Sequence, residues 1–257
     1  MKSSDEQLQD LFQKIVIMGS TAESMIQISI RALMERNDSL MAEVYAKERE
    51  VNAMQIEVDE RAVRYTALQQ PVATDVRFLF MASRIASELE RIGDQAMNIV
   101  QNTRHVLAAP PLKRLVDLPI MSEIAQKMVR DSLTAMTNRD CILAEKVFED
   151  EATVDAFRDQ MFRTLLTYMM GDPTTIQRAL SLILISRNLE RIGDHATNIA
   201  EEVIYWVKGK DVRHAVVKDY VAQLPFTETA TISGDLLSPQ RHEDTKTHEG
   251  IQGIEED

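Results

Sequence analysis

Residues 89–99 read LERIGDQAMNI, and residues 189–199 read LERIGDHATNI. Around the first copy, apolar residues fall at Phe78, Ala82, Ile85, Leu89, Ile92, Ala96 and Ile99, in steps of four and three that keep them on one face of a helix. The second copy continues the pattern through Leu182, Ile185, Leu189, Ile192, Ala196, Ile199, Val203 and Trp206. Each copy therefore predicts a long helix with coiled-coil-like spacing.

The duplication extends backward. Leu40, Val44, Val51, Met54, Val58 and Tyr65 match Leu143, Val147, Val154, Phe157, Met161 and Tyr168, all shifted by 103, and Met25, Ser29, Ala32 and Leu33 match Met128, Ser132, Ala135 and Met136. The shift drops to 100 in the last helix of each copy, because QQPVATD (69–75) is replaced by the tighter GDPTT (171–175). Each connection carries a Pro, which suits a helix start and stops the helix before it. The pattern predicts helices over about 5–36, 39–69, 73–107, 120–138, 141–170 and 174–208. The expected fold is all-α: two pseudo-symmetric three-helix bundles of six long helices, with repeats over 1–108 and 120–217 and a linker over 109–119. Lys208-Gly209 reads as a helix stop, and the polar, acidic, aperiodic remainder (218–257) reads as a flexible tail.

Composition narrows the function. Eight Gly and seven Pro in 257 residues argue against a turn-rich β architecture. The single cysteine, Cys141, has no intrachain partner and no secretory leader pattern opens the chain, so a cytoplasmic location is expected. The most apolar stretch, LSLILIS at 180–186, is too short for a membrane span. Lys and Arg number 29 against 41 Asp and Glu, a formal charge of −12, which disfavours nucleic acid as a partner.

A repeated acidic stripe carries the chemistry. Glu90, Asp94 and Asn98, and again Glu190, Asp194 and Asn198, stand at i, i+4 and i+8, one residue past the apolar seam. The middle helices repeat the spacing with Glu48 and Asn52 in the first copy and Glu151 and Asp155 in the second. Carboxylates one turn apart repel. Converging from two helices, they offer hard oxygen ligands to iron, zinc, manganese or magnesium. Gly93 and Gly193, mid-helix beside the stripe, allow close approach of a neighbouring helix or of bound ions. His195 has Gln95 as its counterpart and reads as surface rather than ligand. Arg77, Arg84 and Arg91 recur every seven residues, which reads as a solvated face pairing with Glu88 and its neighbours. Most of the fourteen Met residues lie on apolar stripes and read as core filler. No phosphate loop, nucleophile elbow or clustered Cys/His appears, and neither repeat has the Glu-x-x-His pair of di-iron carboxylate bundles. No catalytic residue is assigned.

The chain resembles the PhoU family of phosphate-signalling proteins over roughly residues 5–218, through QQPVATDVRF (69–78), the doubled LERIGD and IYWVKGKDVRHAV (204–216). The resemblance implies two three-helix bundles, a cytoplasmic and often dimeric protein, and multinuclear metal clusters on E/D-x-x-x-D motifs. Carried over by position, the ligands are Glu48, Glu90, Asp94, Glu151, Asp155, Glu190 and Asp194; Asn52 offers an amide where the pattern has a carboxylate. The resemblance also implies a non-enzymatic adaptor that couples a phosphate ABC transporter, through its ATPase, to a sensor histidine kinase. It would repress the phosphate-starvation response and phosphate uptake, reaching the membrane only through these partners. The alternative is a metal store or metal-dependent enzyme built on the same clusters. An acidic surface is a poor phosphate sensor by itself, so sensing is expected to lie in the partners or in bound metal.

Overall fold

The computed structural model describes residues 4–112, 117–209 and 212. Six α-helices follow one another: α1 Ser4–Met34, α2 Met41–Gln69, α3 Ala73–Leu107, α4 Asp117–Asn138, α5 Cys141–Gly171 and α6 Ile176–Lys208. α1 to α3 pack together, as do α4 to α6, and α3 lies along α6 so that the two bundles meet across their repeated helices. None of the described helices is long and apolar enough to cross a membrane. The acidic tail expected over 218–257 lies outside the described residues.

Local chemistry sets the helix ends. α1 and α4 both close with a left-handed residue that is arginine rather than glycine, Arg36 (φ 52) and Arg139 (φ 53). In each case two backbone bonds lock the turn, Asn37 N to Ala32 O and Arg36 N to Leu33 O in one, Asp140 N to Ala135 O and Arg139 N to Met136 O in the other. The Asp140 carboxylate then caps α5 by accepting from Ile142 N and Leu143 N. Two helices expected to start at 39 and 174 instead begin with short 3-10 turns, Asp38–Leu40 and Pro173–Thr175. The Asn37 and Asp172 side chains accept from the backbone N–H two residues on, tightening these turns before the α-helix can propagate. α4 is already helical at Asp117, inside the expected linker, and Pro119 fits near its start, where a missing N–H costs little.

The seams predicted for α3 and α6 are buried throughout, except that Trp206 remains half-buried. Tyr168 departs further, at 39% exposure. Gly93 and Gly193 face the core, not the acidic stripe. A Cβ on Gly93 would meet Met25 Cε at 3.4 Å and Val51 Cγ1 at 3.7 Å, and one on Gly193 would meet Met128 at 3.4 Å and Val154 at 3.9 Å. Both glycines therefore serve close packing of the last helix on the first two of its own bundle, and the two sets of neighbours are themselves repeat equivalents.

Candidate metal centre

The acidic residues predicted from spacing are brought together in two places. In the first bundle, Glu48 and Asn52 on α2 lie beside Glu90 and Asp94 on α3; in the second, Glu151 and Asp155 on α5 lie beside Glu190 and Asp194 on α6. All but Asp94 are half-buried. Burial, and then the neighbouring Asp94 and Glu48 charges, push the Glu90 carboxyl up, and burial with Glu48 does the same to Asp94. Burial and the charges of Asp194, Asp155 and Glu190 raise Glu151, while burial, Glu190 and Asp155 raise Asp194. These shifts express electrostatic conflict: half-desolvated carboxylates across each groove resist sharing negative charge.

The two groups answer that conflict differently. In the first, Asn52 Nδ2 donates to Glu48 Oε1 at 2.6 Å, so the amide presents its hydrogens, not its oxygen, to the carboxylate. In the second, Arg158 Nη1 reaches Glu190 Oε1 at 2.5 Å and Asp155 Oδ1 at 3.2 Å, while its other nitrogens hold Asp159. Its repeat counterpart is Gln55, so this internal cation belongs to the second bundle alone. Sequence reasoning missed Arg158, although its place three residues after Asp155 on the same face was legible.

Among the described residues, no three His, Cys, Asp or Glu side chains converge in an arrangement that would hold a metal ion. The donor chemistry nevertheless suits a hard cation, since four carboxylates in the second group and three in the first are set against one another. A cation there would have to take the place that Arg158 holds between Asp155 and Glu190.

His195 and Asn198 are placed differently from the reading of the sequence. They turn away from the stripe toward α3, where His195 Nδ1 meets Glu88 Oε2 at 2.7 Å and Asn198 Nδ2 donates to the same oxygen at 3.0 Å. His195 is thus an inter-bundle contact rather than a surface residue, its side chain only 14% exposed. Nearby, Arg84 Nη1 donates to both oxygens of the buried Glu202, and Arg91 lies 3.8 Å from Glu88. Burial works against the Glu88 charge, but the His195 and Asn198 hydrogen bonds and the Arg91 charge bring its carboxyl below the ordinary range. Arg84 is therefore part of the seam between the bundles, whereas the exposed Arg91 pairs with Glu88 on its own helix, as the solvated-face reading expects.

Both halves of this arrangement, residues 15–103 and 118–203, match the model of the PhoU domain. The chain belongs to the PhoU family. It is 36% identical over 225 residues to the phosphate-specific transport system accessory protein PhoU homolog of Pseudomonas putida, covering 87% of this chain and 88% of that protein. It is 38% identical to the corresponding Caulobacter vibrioides protein, covering 82% and 93%. The crystal structure of PhoU from Pseudomonas aeruginosa superposes with a TM-score of 0.78 at 35% identity, covering 81% of this chain and all of that one. The two PhoU repeats coincide with the two bundles, and the acidic stripes fall within both matched segments.

Proposed function

We propose that this PhoU-family chain is a regulatory adaptor of phosphate homeostasis, coupling a phosphate ABC transporter to a sensor histidine kinase and repressing the phosphate-starvation response when phosphate is plentiful. The observation that carries the reading is that the likeness to phosphate-specific transport system accessory proteins runs through both repeats and most of each chain. Contacts with the transporter ATPase and the kinase, a cytoplasmic homodimer and folding of the two repeats as domains belong to the same proposal. The test is deletion of the gene in its host, with a starvation-responsive phosphatase reporter read at high phosphate. The expected result is derepression, restored by the wild-type gene; a reporter that stays repressed in the deletion strain overturns the adaptor reading.

At the level of the site, Glu151, Asp155, Glu190 and Asp194 would hold a multivalent cation in the second bundle, and Glu48, Asn52, Glu90 and Asp94 a weaker one in the first. The raised carboxyls favour this, because a multivalent cation converts mutual repulsion into attraction. Bound metal would supply positive charge on an otherwise acidic surface, where a phosphorylated partner segment or an acidic loop could dock. Elemental analysis of purified protein beside a Glu190→Ala/Asp194→Ala variant tests this. Stoichiometric iron, zinc or manganese that falls in the variant supports it, and equal metal content in both proteins removes the stripe from consideration.

A further inference from the structure

The pseudo-symmetry that relates the bundles is broken at the two ends of the molecule. After α3, the chain turns back over its end, and Arg36 donates to Leu107 O at 3.0 Å and Ala109 O at 2.8 Å, while Arg178 donates to Pro110 O at 2.7 Å. Backbone carbonyls of the connection thus satisfy both guanidiniums. At the opposite end the counterpart of Arg36 is Arg139, which shares its left-handed backbone, and the counterpart of Arg178 is Phe78. Here the described residues leave a cleft of about 680 Å³ between the start of α1 and α3 and the ends of α4 and α6.

This cleft combines an aromatic wall with two guanidiniums. Phe12, Phe78 and Trp206 form a continuous cluster, with ring centroids 6.3 and 5.6 Å apart. Arg139 lies over the Trp206 ring at 4.7 Å and, among the described residues, makes no ion pair. Arg77 also lines the cleft; its Nε is buried and, among the described residues, has no hydrogen-bond partner. The end of α6 lies close by, since a Cβ on Gly209 would be 3.6 Å from Arg77 Nη1. The helix terminus offers that guanidinium partial negative charge but leaves Nε unmet. The lining carboxylate, Asp75, points its Oδ2 to its own helix start, 3.4 Å from Val72 N. In a chain of charge −12, two cations that meet no acidic partner among the described residues, beside a half-buried aromatic cluster, are a local exception.

We propose that this cleft binds a small phosphomonoester with an aromatic body, its phosphate taken by Arg77 and Arg139 and its body by the Phe12, Phe78 and Trp206 wall. A phosphate dianion matches two guanidiniums in charge, the planar fork of arginine suits its oxygens, and the volume is that of a small-molecule site. A nucleoside monophosphate is the simplest probe of the class.

Trp206 is the only tryptophan in the chain, so its fluorescence reports the cleft directly. The experiment titrates full-length protein with AMP, adenosine and inorganic phosphate, following Trp206 emission and heat in parallel. The expected result is saturable AMP binding, with adenosine and inorganic phosphate each weaker by about tenfold or more, because each lacks half of the contacts. AMP that binds no better than either one overturns the proposal without any variant. Arg77→Gln and Arg139→Asn, the latter a residue that tolerates the left-handed backbone, are each expected to weaken AMP binding about tenfold. Arg178→Gln, at the opposite end, should leave it unchanged. Unaltered affinity in both cleft variants refutes the assignment.

Discussion

Replacing Arg158 by glutamine probes the second acidic group most directly. Its guanidinium is 32% exposed on the side chain and is shared between Glu190 at 2.5 Å and Asp155 at 3.2 Å. A partly exposed ion pair is worth about 0.5–1 kcal/mol. Two such contacts together make displacement by an incoming cation cost about 1–2 kcal/mol, so glutamine should tighten metal binding at this group roughly tenfold. It should also lower metal-free stability slightly, because Asp155 and Glu190 lose their cation. The assay is calorimetric titration of metal-stripped wild-type and Arg158→Gln protein with Mn²⁺, checked by circular dichroism. Equal or weaker affinity in a normally folded variant would refute the idea that Arg158 competes for the site. No binding by either protein at millimolar Mn²⁺ would remove the metal centre itself. Four carboxylates against three favour the second group over the first, but Arg158 opposes that order, so the variant should also widen the gap between the two groups.

Asn52→Asp exchanges the amide that donates to Glu48 for a fourth carboxylate and should raise first-group affinity several-fold, read by the same titration; no change strikes Asn52 from the ligand set. Glu151→Gln should stabilise the metal-free protein by about 0.5–1 kcal/mol at neutral pH, because it removes a half-buried charge facing three others. A carboxyl raised on folding makes the folded state bind more protons through the carboxylate range, so its penalty is present above that range and fades as pH falls; thermal melts of variant and wild type should therefore converge in acid. Glu88→Gln should cost about 1–2 kcal/mol by weakening the His195 and Asn198 contacts between α3 and α6. Because the Glu88 carboxyl is lowered on folding, that loss is largest above the carboxylate range and shrinks as pH falls through it, and a pH-independent difference in urea melts would count against the assignment.

Local rules accounted for much of what was found. The seam of Ile85, Leu89, Ile92, Ala96 and Ile99 and its copy in α6 were legible because a period between three and four has one geometric meaning, and every one of these residues is buried. The acidic residues were legible as pairs on a face because i, i+4 spacing is also purely local. Helix starts near Leu40 and Thr174 were misplaced because an Asx turn depends on where one side-chain oxygen points, a choice that composition leaves open. The arginines closing α1 and α4 carried no glycine signal and were equally silent, although their repetition in Arg36-Asn37 and Arg139-Asp140 is visible once the turns are known.

The sequence alone determined six helices, their duplication, the core face of each and the rows of carboxylates, since all of these follow from spacing along one helix. Only the tertiary structure decided that α3 lies along α6, because that contact joins residues about a hundred positions apart and depends on how two finished surfaces fit. From that docking follow His195 and Asn198 on Glu88, Arg84 on Glu202, and the cleft where Phe78 meets Trp206. Periodicity assigns a residue to a face; which partner that face meets is settled by the packing of whole helices.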